Sequence, residues 1–295
     1  METNMIEGIS TALITPFRNG QIDEEALRGL VEKQIEAGID ALIPCGSTGE
    51  SATLSHIEHR RVVEIVIEAS AGRVPVIAGA GSNSTREAIE LTIHAREAGA
   101  SGALLLSPYY NKPTQEGIYA HYAAVAKEAS FPIVIYNIPG RTASNISADT
   151  VARLARLENI IGVKEASGDV DQMAHIIAKS PSDFAVVSGD DCLTLPLLAL
   201  GGKGVISASA NVAPAEMCRL VREFRAGNIE AARRIHFELL PLFDALFCET
   251  NPIPVKAATA ALGWCSDEIR LPLTKISEAN LEHLKVVLKD LGIAQ

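Results

Sequence analysis

The sequence predicts an α/β chain folded as a (β/α)8 TIM barrel with a C-terminal helical extension. Three observations lead there. Short β-branched or aliphatic runs alternate with longer amphipathic stretches, the alternation occurs eight times at a spacing of roughly 25 to 30 residues, and the strand runs stop after about residue 226. A doubly wound sheet shares the alternation but usually has fewer units and open edges. Length allows either arrangement: 295 residues would make two ordinary domains, yet α/β barrels commonly run about 200 to 250 residues as one unit. The expected division is 1–225 for the barrel and 226–295 for the extension.

In chain order, the expected strands are Ser10 to Thr15, Ala41 to Cys45, Val74 to Ala78, Gly102 to Leu106, Ile133 to Tyr136, Ile160 to Lys164, Phe184 to Val187 and Gly204 to Ser207. Each is a continuous apolar run rather than an alternating one, the pattern of a parallel strand buried on both faces. The helices that follow them are Asp23 to Ala37, Ser55 to Ala69, Ser84 to Ala98, Thr114 to Ala129, Ser147 to Leu157, Val170 to Lys179, Cys192 to Leu200 and Ala215 to Arg225. Several open on Ser, Thr or Asp and close at Gly, as in Ser84 with Glu87 three residues on and Gly99 beyond the end. Asn228 to Phe247, Val255 to Leu262 and Glu278 to Leu291 read as the helices of the extension.

Composition narrows the partners. Twenty-six Lys and Arg against 36 Asp and Glu give a net charge of −10, the wrong sign for unspecific binding to nucleic acid or an anionic membrane. Seven Phe, five Tyr and one Trp are too few for a base-stacking platform. Cys45, Cys192, Cys218, Cys248 and Cys265 are odd in number and form no C-x-x-C pair, as expected of reduced thiols in the cytoplasm. No apolar run reaches membrane-spanning length, and the opening Met-Glu-Thr-Asn-Met-Ile-Glu lacks the basic stretch of a signal peptide. No metal site is expected. His56-x-x-His59 has no further ligand cluster, Gly79-Ala80-Gly81-Ser82-Asn83-Ser84 lacks the third glycine of a dinucleotide fingerprint, and Gly201-Gly202-Lys203-Gly204 lacks P-loop spacing.

Active sites of such barrels lie at the C-terminal ends of the strands. There the chain carries Gly46-Ser47-Thr48-Gly49-Glu50, Ser107-Pro108-Tyr109-Tyr110-Asn111, Tyr136 followed by Asn137-Ile138-Pro139-Gly140-Arg141-Thr142, and Lys164 followed by Glu165-Ala166-Ser167-Gly168. A lysine ending an apolar strand faces the barrel mouth, where desolvation favours its neutral, nucleophilic amine. The competing reading is a structural lysine paired with Glu165. Tyr136 is read either as a proton shuttle or as core, and Ser47, Thr48 and Tyr110 as a hydroxyl relay converging on the lysine.

The segments ALITPF, GSTGES, PYYNKPTQEG, YNIPGRT, GVKEASGD, SGDD, GGKGVIS and NPIPVK, in this order along the whole chain, resemble the dihydrodipicolinate synthase branch of the pyruvate-dependent class I aldolase family. The resemblance implies that Lys164 forms a Schiff base with pyruvate, whose enamine attacks L-aspartate 4-semialdehyde to give 4-hydroxy-tetrahydrodipicolinate on the route to diaminopimelate and lysine. It further implies Tyr136 as general acid/base, Ser47 and Tyr110 as the rest of a proton relay, and Tyr110 supplied by the partner of a tight dimer within a homotetramer. Thr48 would hold the pyruvate carboxylate, Ile206 would line its pocket, and Arg141 would receive the semialdehyde carboxylate. No cofactor is implied, because the lysine iminium is itself the electron sink. Ser51, Ala52, His56, His59, Gly81, Asn83, Glu87 and Tyr109 match the positions that bind lysine as feedback inhibitor in sensitive relatives. The bland alternative for them is helix capping and solvated helix ends. His56 and His59, one turn apart, are expected to share a face.

One departure pulls toward a different activity. The synthase branch usually has Thr-Thr where this chain has Ser47-Thr48, and Ser-Thr is similar to the N-acetylneuraminate lyase branch. Arg141 points back, since that branch lacks arginine after its YNIP segment. A sialic acid or 2-keto-3-deoxy sugar acid lyase is thus the alternative enzyme, and a non-catalytic small-molecule-binding barrel the alternative of another class.

Overall fold

Aliphatic, β-branched runs suit strands enclosed on both faces, and all eight fold that way. The computed structural model describes residues 5–294. Met1 to Asn4, which open the segment read above for a signal peptide, and Gln295 lie outside them. The strands are β1 (Gly8–Ala12), β2 (Ala41–Ile43), β3 (Ile77–Gly79), β4 (Gly102–Leu106), β5 (Ile133–Asn137), β6 (Ile160–Glu165), β7 (Ala185–Ser188) and β8 (Gly204–Ser207). All are parallel in the order β2-β1-β8-β7-β6-β5-β4-β3. The ring closes through a parallel bridge between Leu42 and Val76, with Leu42 N–H donating to the Pro75 carbonyl (3.0 Å) and Gly79 N–H to that of Pro44 (2.8 Å). A doubly wound sheet is excluded by that closure.

Helices α1 (Glu24–Ala37), α2 (His56–Ser70), α3 (Thr85–Glu97), α4 (Gln115–Ala129), α5 (Ala148–Leu154), α6 (Val170–Lys179), α7 (Thr194–Ala199) and α8 (Pro214–Arg225) follow the strands in turn. Asp23, Ser55, Ser84, Thr114, Ser147 and Asp169 cap their N-termini through side-chain oxygens, and Ser55 with Glu58 forms a complete capping box. Each such cap contributes about 1 kcal/mol. The extension adds α9 (Ile229–Leu246), α10 (Ile253–Ala261) and α11 (Glu278–Asp290), whose Leu239, Phe243, Val255 and Leu284 join the core between helices and barrel.

Strand residues alternate between two cores. Ile43, Ile77, Leu104, Val134, Tyr136, Val187 and Ile206 fill the barrel, while Leu42, Leu105, Ile133, Ile135, Val163 and Val186 pack outward under the helices. That parity settles where the chemistry points. Tyr136 and Lys164, one residue beyond Ile135 and Val163, face the interior, and they pair with each other across β5 and β6.

The first strand begins and ends earlier than expected. After Ala12 the chain leaves the ladder, and Ile14 N–H is taken by the Asn211 side chain (3.1 Å) instead of a strand partner. The stretch from Cys192 to Leu200 is a 3-10 turn, Asp191–Leu193, leading into α7. A hairpin of Phe17–Arg18 with Gln21–Ile22 and a helical turn at Pro139–Thr142 were not anticipated. No helix among the described residues is long and apolar enough to cross a membrane.

Candidate active site

Lys164 sits on β6 toward the C-terminal mouth of the barrel, 6% exposed, with Nζ 4.4 Å from the centre of the Tyr136 ring. Burial pulls its pKa down to about 8; the negative charge of Asp191 opposes the shift and the positive charge of Arg141 adds to it. The competing partner is otherwise engaged. Glu165 points to the outer side, where its carboxylate accepts from Asn137 Nδ2 (2.9 Å), Ser167 N–H (2.7 Å) and Gln172 Nε2 (3.3 Å). A lysine paired with Glu165 is therefore not what forms. The stem of Lys164 runs along Gly189, where a Cβ would stand 2.8 Å from Cε and 3.1 Å from Cγ. Only glycine leaves that path open.

Burial raises the Tyr136 phenol to about 12, tempered by the Arg141 charge and a hydrogen bond from Ser47. At neutral pH the site thus holds a protonated phenol beside a lysine that readily loses its proton, the pairing that acid/base chemistry on a carbonyl needs. Ser47 belongs to a tight turn after β2, in which Gly49 N–H donates to Gly46 (3.0 Å) and Glu50 N–H to Ser47 (3.2 Å). The Thr48 hydroxyl accepts from Asn251 Nδ2 (2.9 Å). Arg141, on the turn after β5, donates from Nη2 to the Asn251 carbonyl (2.7 Å). Ile206 is fully buried in the barrel interior.

Asn251, Asp191 and Gly189 are the residues that sequence reasoning missed. All three stood inside the segments SGDD and NPIPVK, but nothing in a linear reading says that a residue of the C-terminal extension ties Thr48 to Arg141. Asp191 is buried, with Oδ2 accepting from the Ser209 N–H (2.9 Å) and hydroxyl (2.7 Å) and Oδ1 without a partner.

Tyr110 does not join the other hydroxyls as a buried group. It stands 89% exposed on the loop after β4, with φ at +73°.

The second cluster lies on neighbouring loops. His56 and Glu87 meet at 3.2 Å, bringing the starts of α2 and α3 together, and Ser82 donates to the Glu87 carboxylate. Asn111 Nδ2 donates to the Asn83 carbonyl (2.9 Å), drawing in the loop that carries Tyr109. Ser51 and Ala52 form a 3-10 turn just before α2, and Gly81 packs so closely on Leu106 that a Cβ would overlap it. His56 and His59 stand three residues apart on one side of α2 but at different depths. His56 is exposed, whereas His59 is buried, Nε2 donating to the Gly79 carbonyl (2.8 Å), and burial depresses its pKa to about 4. Among the described residues, no group of three or more His, Cys, Asp or Glu is placed to hold a metal ion.

The model of the dihydrodipicolinate synthetase family matches residues 5–291. The chain belongs to that family. It is 58% identical over 289 residues, 98% of this chain and 99% of the relative, to the 4-hydroxy-tetrahydrodipicolinate synthase of Syntrophus aciditrophicus. Among solved structures, the dihydrodipicolinate synthase of Aquifex aeolicus superposes with a TM-score of 0.96 at 50% identity, covering 98% of this chain and 99% of that one. The Cyanidioschyzon merolae enzyme with lysine bound gives 0.96 at 45% identity, covering 99% and 100%.

Proposed function

We propose that this protein condenses pyruvate with L-aspartate 4-semialdehyde to form 4-hydroxy-tetrahydrodipicolinate. The observation that carries the reading is a buried lysine with its pKa drawn to about 8, paired in register with Tyr136 inside a barrel, in a chain 58% identical to a synthase of that name. Neutral Lys164 attacks the keto carbon of pyruvate while Thr48 holds the carboxylate against Ile206. Tyr136 protonates the departing oxygen, which leaves as water, and the iminium forms. Loss of a C3 proton gives the enamine, whose carbon attacks the semialdehyde aldehyde, oriented through its carboxylate by Arg141. The semialdehyde's own amine then displaces Lys164 from the iminium, closing the ring and freeing the enzyme. Protons travel through Tyr136, Ser47 and Tyr110, the last contributed by a partner subunit; its exposure on the isolated chain supports that origin.

The same reading takes the assembly to be a homotetramer of two tight dimers. Supporting it, Phe237 is 62% exposed beside a groove of about 340 Å³ lined by Leu195, Pro196, Ala199 and Ile229, apolar surface suited to a second copy. L-Lysine is assigned as effector at Ser51, Ala52, His56, His59, Gly81, Asn83, Glu87 and Tyr109, with the Glu87 carboxylate as partner of its amino group. Buried His59 would act there by shaping the wall.

Borohydride reduction with pyruvate is expected to leave one adduct at Lys164, and none in Lys164→Ala, which should fold normally and lose nearly all turnover. Absence of an adduct on the parent protein would overturn the reading. A coupled assay should show turnover of aspartate semialdehyde with pyruvate; cleavage of N-acetylneuraminate alone would assign the chain to the lyase activity instead.

A further inference from the structure

The turn after β2 is fastened to the extension at two points, across 203 and 206 residues of chain. One is the bond from Asn251 to Thr48. The other is an ion pair between Lys256 and Glu50 whose side chains are 1% and 0% exposed. Glu50 is fully engaged: one carboxylate oxygen accepts from Lys256 Nζ and the other from Arg270 N–H (3.2 Å). The Phe17 ring closes the compartment, with Lys256 Nζ and Arg270 Cζ each 4.1 Å from its centre. Arg270 is held in turn by Glu58 (2.6 and 3.1 Å) and the Thr53 carbonyl (3.1 Å).

Stability does not explain so buried a pair, because apolar residues of similar volume often serve equally well or better. Geometry offers another reason. Glu50 has φ at +53°, a conformation that L side chains adopt rarely, so outside contacts must hold it. Its own N–H donates to the Ser47 carbonyl (3.2 Å), and the Ser47 hydroxyl is one of the groups that lower the Tyr136 pKa. We propose that the Lys256–Glu50 pair is a positioning device for the reaction: it pins the turn after β2 to α10 so that the Ser47 hydroxyl reaches Tyr136. Lys256 and Glu50 are positioning residues that act through Ser47, and the inference rests on the catalytic reading above.

A double-mutant cycle with Ser47→Ala tests it. Lys256→Met should lower kcat by about 100-fold, the scale of an ångström's misplacement in a reactive site, with the Lys164–pyruvate adduct still trapped at saturating pyruvate. In the Ser47→Ala background the same substitution should cost no more than about threefold, since residues acting through one another are not additive whereas independent ones nearly are. Equal factors in the two backgrounds, or a folded Lys256→Met within threefold of the parent, would overturn the proposal, because a purely structural role leaves the effects independent. Should circular dichroism show Lys256→Met unfolded, Glu50→Gln, which keeps volume and acceptor, carries the same cycle with the same two outcomes. A parent protein that traps no pyruvate would remove the proposal together with the reading beneath it; a parent that traps pyruvate and turns over while the cycle is additive refutes positioning alone.

Discussion

Lys164 and Tyr136 are register partners on adjacent strands, and the lysine nitrogen lies 4.4 Å from the centre of the tyrosine ring. Both are buried, so their titrations move apart: the lysine falls to about 8 and the phenol rises to about 12. Only the neutral amine attacks a carbonyl. At pH 7 about a tenth of Lys164 is neutral, against well under a thousandth for an ordinary lysine. The initial rate of borohydride-trapped adduct formation should climb with pH and reach half its plateau near 8. A midpoint near 10.5, the ordinary lysine value, would mean that burial does not activate this residue. The same shift affects stability. Between about 8 and 10.5 the unfolded chain holds a proton that the folded one has released, so the contribution of Lys164 to stability rises with pH across that window. Lys164→Met should flatten that part of a denaturation profile.

Gly189 touches the aliphatic stem of Lys164, and a methyl group there would stand 2.8 Å from Cε and 2.7 Å from the Ala166 Cβ. Gly189→Ala is therefore predicted to lower kcat/KM for pyruvate by about 100-fold through displacement of the amine, in a protein whose circular dichroism matches the parent. Parent-like kinetics in this variant would show that the stem has room to move aside.

Arg141 is exposed apart from its bond to the Asn251 carbonyl (2.7 Å), leaving its other nitrogens for a carboxylate. Arg141→Ala should lower kcat/KM for the semialdehyde ten- to hundredfold, about 1.5–3 kcal/mol for a charged hydrogen bond. Steady-state assays at pH 9 would keep Lys164 mostly neutral, offsetting the rise in its pKa that follows loss of a neighbouring cation. An unchanged semialdehyde dependence would refute the assigned role.

Glu87 already bridges His56 and Ser82, an arrangement that presents a carboxylate between two helix starts. Isothermal calorimetry should detect L-lysine binding to the parent protein and about tenfold or more weaker binding to Glu87→Ala. Lack of heat with the parent at millimolar lysine would end the effector assignment.

Much of this molecule follows from local patterning. Eight buried apolar runs, each with a helix after it and six of those helices capped by a side chain, are enough to dictate a barrel, and the place of Lys164 at the end of one run directs it to the mouth, because side-chain parity and strand direction are local properties. Patterning did not mark where β1 leaves its ladder, since the partner of Ile14 N–H is Asn211, nearly two hundred residues away. It also left unmarked that, of His56 and His59 on α2, only His59 is buried and donates to the Gly79 carbonyl.

The sequence by itself determined the barrel, the helical extension and which candidate residues stand at the strand ends, because each depends on periodicity and short-range order. Tertiary structure alone decided what those residues experience. Burial lowers the Lys164 pKa, Gly189 clears a path for its stem, Asn251 ties Thr48 to Arg141, and the Lys256–Glu50 pair grips the turn that holds Ser47. Those effects arise from desolvation and from contacts between distant segments, which exist only once the chain has closed on itself.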